Sequence, residues 1–105
     1  MSDRLERLRK LTEIDPDDPL THYGLALEYL KLERWDDAIA SFARTLEIDP
    51  NYSAAYYHKA RAEIGAARPD EAAATLRRGI EAARAAGDMK TEQEMRELLE
   101  TIAAS

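Results

Sequence analysis

Cysteine is missing from this 105-residue chain, which rules out disulfide staples, thiolate zinc sites and a cysteine nucleophile. Valine is missing too, and no segment alternates apolar and polar residues as a half-buried strand would. A basic surplus is also lacking: 15 Lys and Arg stand against 21 Asp and Glu, a formal net charge of -6. With so little to neutralise phosphates, nucleic acid is not an expected ligand. No run approaches the roughly 18 apolar residues a membrane span requires. Met1 to Lys10 carry charges of both signs where a signal peptide would have its apolar centre. The expectation is a soluble, cytoplasmic chain of one domain, without a membrane segment.

Glycine and proline are few, four of each, and they stand apart, so they punctuate the chain instead of loosening it. Between them Ala, Leu, Glu and Arg dominate, all strong helix formers. The fold class is all-α. Leu5, Leu8 and Leu11 recur at three- and four-residue steps and stop at Asp15-Pro16. A second run carries Leu20, Tyr23, Leu27 and Leu30 on one face and Leu25, Ala26 and Tyr29 on another. A third helix spans about Trp35 to Ile48, and a fourth opens at Asn51 to Ser53 and runs through Ile64. Pro69 suits the first turn of the fifth, which Gly87 ends, and Asp88 is placed to cap the last.

The chain also repeats itself. Glu13-Ile14-Asp15-Pro16 returns as Glu47-Ile48-Asp49-Pro50, and 50 − 16 = 34. At that offset Tyr23 maps to Tyr57, Ala26 to Ala60, Ala38 to Ala72, Phe42 to Leu76 and Leu46 to Ile80. A period of 34 made of two short helices resembles the tetratricopeptide repeat family. His22, Leu25, Ala26 and Tyr29 stand where that family's first helix asks for its large and small residues, and Ala38, Phe42, Thr45 and Pro50 do so for the second. In the next repeat Tyr56, Ala60, Ala72, Leu76 and Gly79 match. Lys59 and Glu63 depart from the pattern, one turn apart and able to pair, and Arg84 replaces the closing proline, so that helix should run on to Gly87. The resemblance implies antiparallel helix pairs stacked as a short right-handed superhelix. It divides the chain into a leading half-repeat (3–18), repeats over 19–52 and 53–86, and a capping helix (88–103) whose stripe is Met95, Leu98, Leu99 and Ile102.

The resemblance further implies a concave groove lined by first helices. Carried over residue by residue, the groove is Leu20, Tyr23, Leu27, Leu30 and Lys31, then Ala54, Tyr57, His58, Arg61 and Ile64. Residues near Met89, Glu92 and Arg96 are expected to extend it. Such a surface is expected to take a partner's apolar peptide or amphipathic helix. On this reading, polar replacements of Tyr23 and Tyr57 together remove binding and leave the melting temperature nearly unchanged. The peptide-carboxylate clamp of some family members is not expected, because Tyr23 and Leu27 stand where part of it would be. The alternative is self-association into a homo-oligomer, groove to groove through exposed Leu20, Leu27 and Leu30, or end to end through the leading half-repeat.

Other chemistry has little to build on. His22 and His58 are the only histidines, and no carboxylate spacing completes a metal shell around them. Asp15, Asp17 and Asp18 lack the central glycine and closing glutamate of a calcium loop and read as helix caps. No phosphate loop, nucleophile elbow or catalytic dyad is present, so neither an enzyme nor a cofactor is expected. Arg77, Arg78 and Arg84 form a solvated patch on an outer helix, and Trp35 is expected to plug a helix–helix junction.

Overall fold

A computed structural model describes residues 3–104, and these form six helices: α1 (Asp3–Ile14), α2 (Pro19–Lys31), α3 (Trp35–Ile48), α4 (Ser53–Gly65), α5 (Pro69–Ala86) and α6 (Met89–Ala104). No strand occurs among the described residues. The caps explain the boundaries. Asp18 Oδ1 accepts from the Leu20 amide at 3.0 Å, and Pro19 fills the first helical position, where no backbone donor is needed. Pro69 does the same for α5, and Asp88 Oδ1 accepts from the Thr91 amide at 3.1 Å to start α6. Gly87 closes α5 in the left-handed conformation at φ 73°, open to glycine at no steric cost. No described helix is long and apolar enough to cross a membrane.

Each helix packs chiefly on its neighbours in sequence, with lighter contacts of α2 to α4 and α4 to α6. That is a stack of antiparallel pairs, 39 × 28 × 18 Å. The 34-residue offset extends to hydrogen bonds. His22 Nε2 lies 2.8 Å from the Pro16 carbonyl, and Tyr56 Oη donates to the Pro50 carbonyl at 2.9 Å. Both first helices also end alike. The Arg34 amide donates to the Tyr29 carbonyl at 2.9 Å and the Arg68 amide to the Glu63 carbonyl at 2.8 Å, with Glu33 and Ala67 left-handed at φ 59° and 60°. A side chain at those angles costs about 1 kcal/mol, so the two turns each carry the same small strain once.

Two clusters make the core. The first gathers Leu5, Leu25, Ala26, Tyr29, Ala38, Phe42, Ala55 and Ala62, and so joins α1 to α4. The second gathers Ala60, Ala72, Leu76, Ile80, Ala83 and Met95, with Leu98, Leu99 and Ile102 packed against it. The stripe of α6 therefore covers the far side of α5, with Met95 fully buried. Gly79 permits this approach, because a Cβ there would collide with Tyr56 Cβ and Met95 Sδ. Trp35 lies on Gly65, closing the junction of α3 with α4.

Candidate partner-binding groove

The first helices α2, α4 and α6 follow one another along one side of the stack, α4 touching both α2 and α6, and the expected groove residues fall in two groups. Tyr23, Tyr57, His58 and Arg61 come together. The His58 ring lies 6.1 Å from Tyr23 and 5.1 Å from Tyr57, centroid to centroid, and stacks at 6.2 Å on the buried ring of Phe42. Leu27 and Lys31 lie apart from this group and line a cleft of about 310 Å³ with Arg4, Gly24 and Glu28, on the α1 side of α2. Leu20 is 64% exposed and Ile64 40% exposed, whereas Leu27, Leu30 and Ala54 are half-buried.

Two expectations need correction. Tyr23 is not a free groove side chain: its ring meets Phe42 edge-on at 5.9 Å and Tyr52 at 4.8 Å within its own repeat, and His58 of the next repeat at 6.1 Å. A polar residue there would cost stability, contrary to the nearly unchanged melting temperature anticipated for the tyrosine pair. Glu92 and Arg96 do not extend the groove either. Arg96 Nε donates to Glu92 Oε2 at 3.0 Å, and Arg84 of α5 reaches the same oxygen at 3.4 Å, which turns both residues toward α5. Instead Glu94, Glu97, Leu98 and Thr101 form a cavity of about 250 Å³ with Tyr57. Met89 is 80% exposed.

The electrostatics follow from burial. His58 is held down to about pKa 4, first by burial and then by the Arg61 guanidinium, so the ring is neutral near pH 7. Arg61 Nη1 lies 3.3 Å from His58 Nδ1, and a guanidinium can only donate, which places the imidazole proton on Nε2. Burial also raises the Tyr23 phenol above its usual range, with Tyr52 adding to the effect. Neither Lys31 nor Arg61 has a carboxylate partner among the described residues. On the opposite side of α4, Lys59 Nζ pairs with Glu63 Oε2 at 3.0 Å and reaches Thr75 Oγ1 at 3.3 Å, while Glu63 Oε1 is buried with no partner. That pair lines a separate cleft of about 270 Å³ through Lys59, with Tyr56, Thr75 and Arg78. Tyr52 was missed from sequence because it precedes α4, outside the helical spacing that marked the others.

With this geometry in place, likeness to known proteins becomes informative. A family model described as tetratricopeptide repeat matches residues 29–91, more than half of the chain. A tetratricopeptide repeat domain protein from Salinibacter ruber is 38% identical at TM-score 0.77, covering 84% of this chain and 89% of that one. The TPR2B domain of yeast Sti1, in complex with pHsp70, superposes at TM-score 0.90 with 23% identity, over 95% of this chain and 80% of that one. PcrH in complex with the chaperone-binding region of PopD gives TM-score 0.90 at 19% identity, over 95% and 76%. No curated protein sequence gives a significant match.

Proposed function

The chain belongs to the tetratricopeptide repeat family, and we propose that it holds a peptide or helix of a partner protein against the shared face of α2, α4 and α6. In this reading 19–52 and 53–86 are the full repeats, 3–18 is the leading half, and 88–103 is the cap. One observation carries the proposal: apolar side chains that the core does not need, Leu20 at 64% and Ile64 at 40% exposure, stand on first helices. On the same two helices Lys31 and Arg61 lack carboxylate partners among the described residues. Exposed apolar side chains and unneutralised cations carried on the same helices support a binding role. Sti1 and PcrH, which share the fold, were seen with a protein or peptide partner. A groove-to-groove homodimer is less well supported, because Leu27 and Leu30 are half-buried against the core where that reading needs them exposed.

The test avoids the tyrosines that hold the fold. The intact chain and a Leu20→Glu, Ile64→Glu variant serve as paired baits from the same lysate. Because both residues are exposed, the variant should match the parent in circular dichroism and melting temperature. The expected outcome is a partner retained by the parent and lost by the folded variant. Identical captures by both baits would refute the groove.

A further inference from the structure

Across the groove the charge changes sign. Lys31 on α2 and Arg61 on α4 are exposed cations, whereas α6 presents Glu94 and Glu97, both exposed. With Leu98 and Thr101 these glutamates follow three- and four-residue steps, so the four side chains form one stripe along the helix. Tyr57 of α4 stands against that stripe, and together they line the cavity of about 250 Å³. Small-molecule sites run to roughly 300–1,000 Å³, so this one has room for a side chain and not for a cofactor.

The chain's own cations leave these carboxylates alone. Among the described residues neither Glu94 nor Glu97 has an ion-pair partner. Glu97 Oε1 accepts from Gln93 Nε2 at 3.1 Å. Every cation on the two helices is held elsewhere. Arg96 Nε donates to Glu92 Oε2, Lys90 lies beside Asp88, Lys59 pairs with Glu63, and Arg61 Nη1 is 3.3 Å from His58 Nδ1. Carboxylates one turn apart on a helix repel each other, a small cost that an incoming cation removes. The face of the half-buried Tyr57 ring attracts a cation as well, and half-buried Leu98 offers an apolar wall to a methylene stem. We infer that the cavity takes a basic side chain of the bound segment, an arginine above all, its guanidinium on Glu94 and Glu97 and its stem along Tyr57 and Leu98. Arginine fits better than lysine because its planar fork both stacks on a ring and pairs with carboxylates. That the side chain belongs to a partner rests on the groove reading above; the cavity's preference for a cation does not.

An NMR titration of the isotope-labelled full chain with N-acetyl-arginine amide tests this. In low salt and with up to ~50 mM probe, where millimolar contacts saturate, the amides of Tyr57, Glu94, Glu97, Leu98 and Thr101 should shift along a saturating curve. N-acetyl-norleucine amide, which keeps the stem and lacks the charge, should leave them in place. Glu94→Gln with Glu97→Gln should weaken binding of the arginine probe by roughly tenfold, the worth of two exposed charge contacts. Glu71→Gln with Glu81→Gln removes the same charge from exposed positions of α5 and should change nothing. Shifts that never saturate, an equal response to the norleucine probe, or equal effects of the two double variants would overturn the inference. The Leu20→Glu, Ile64→Glu variant should bind the probe as the parent does, since neither residue lines the cavity. A failed capture with a positive titration therefore counts against the groove alone, and a successful capture with a negative titration counts against the cavity alone.

Discussion

The two repeats share a backbone and differ in what they bury. In repeat one, Leu25 and Tyr29 fill the space between α2 and α3, 7% and 8% exposed, and Arg34 sits 4.9 Å over the Tyr29 ring. In repeat two the same positions are Lys59 and Glu63, an ion pair whose carboxylate is as deeply buried as the tyrosine it replaces. One fold therefore accepts an apolar pair or a charged pair at one place, and the charged version leaves an oxygen unpaired. Burying two charges costs several kcal/mol each before their attraction returns part of it, so repeat two is the weaker half.

That comparison can be broken most severely at Lys59. Lys59→Leu strands Glu63 as an unpaired buried charge, and urea denaturation should show a loss of about 3–5 kcal/mol. Next is the position shared by Thr45 and Gly79. Gly79→Ala puts a methyl group into Tyr56 Cβ and the Met95 sulfur, and should cost about 2–3 kcal/mol. Thr45→Ala, which creates the same residue in repeat one, loses a buried methyl group and a hydroxyl bonded to the Ser41 carbonyl but meets no clash, and should cost about 1–2 kcal/mol. If both alanines cost the same, the close approach at Gly79 does not matter.

The seam between the repeats responds to acid. An unfolded His58 takes up a proton as pH falls below its ordinary 6.5, whereas the folded one resists until about 4. Its contribution is thus full above pH 6.5 and is lost between 6.5 and 4. The loss should be about 2 kcal/mol, reduced from the full shift because the ring keeps some solvent. Stability measured across that window should fall less steeply in His58→Leu. Transplanting repeat one into repeat two, as Lys59→Leu with Glu63→Tyr, sharpens the comparison. The double variant should be unchanged or up to about 2 kcal/mol more stable, the reverse of Lys59→Leu alone. The smallest effect tests where the repeats are alike. Glu33→Gly and Ala67→Gly relieve the same left-handed strain and should each stabilise by up to about 1 kcal/mol, by matching amounts.

Much of this was legible in the chain itself. The Asp-Pro stops, Pro69, Gly87 and Asp88 act locally, so their effects could be read without tertiary knowledge, and the 34-residue offset located both pairs. The run-on of α5 was legible from Arg84, but the register of α6 was not, because α6 opens at Met89 where the 34-residue offset from Ser53 would place it at 87. Glu92 consequently turns to Arg84, and Glu94 takes the side facing Tyr57. Nor could spacing on one helix reveal that Tyr23 is half core, since the rings that engage it, Phe42, Tyr52 and His58, all lie beyond α2, and His58 belongs to the next repeat. The left-handed turns at Glu33 and Ala67 carry no glycine to announce them.

The chain has a single tryptophan, and its place over Gly65 makes it an intrinsic reporter. Trp35 starts α3 and rests on the end of α4, so its fluorescence registers the parting of the two repeats and is blind to fraying at α6. Circular dichroism weighs all six helices alike. Where a stack melts as one unit, the two signals trace the same curve; where nearest-neighbour coupling is weak, they separate. With repeat two holding the strained core, the helical signal should start to fall before the emission of Trp35 moves, and the gap between the midpoints would measure how strongly one repeat supports the other.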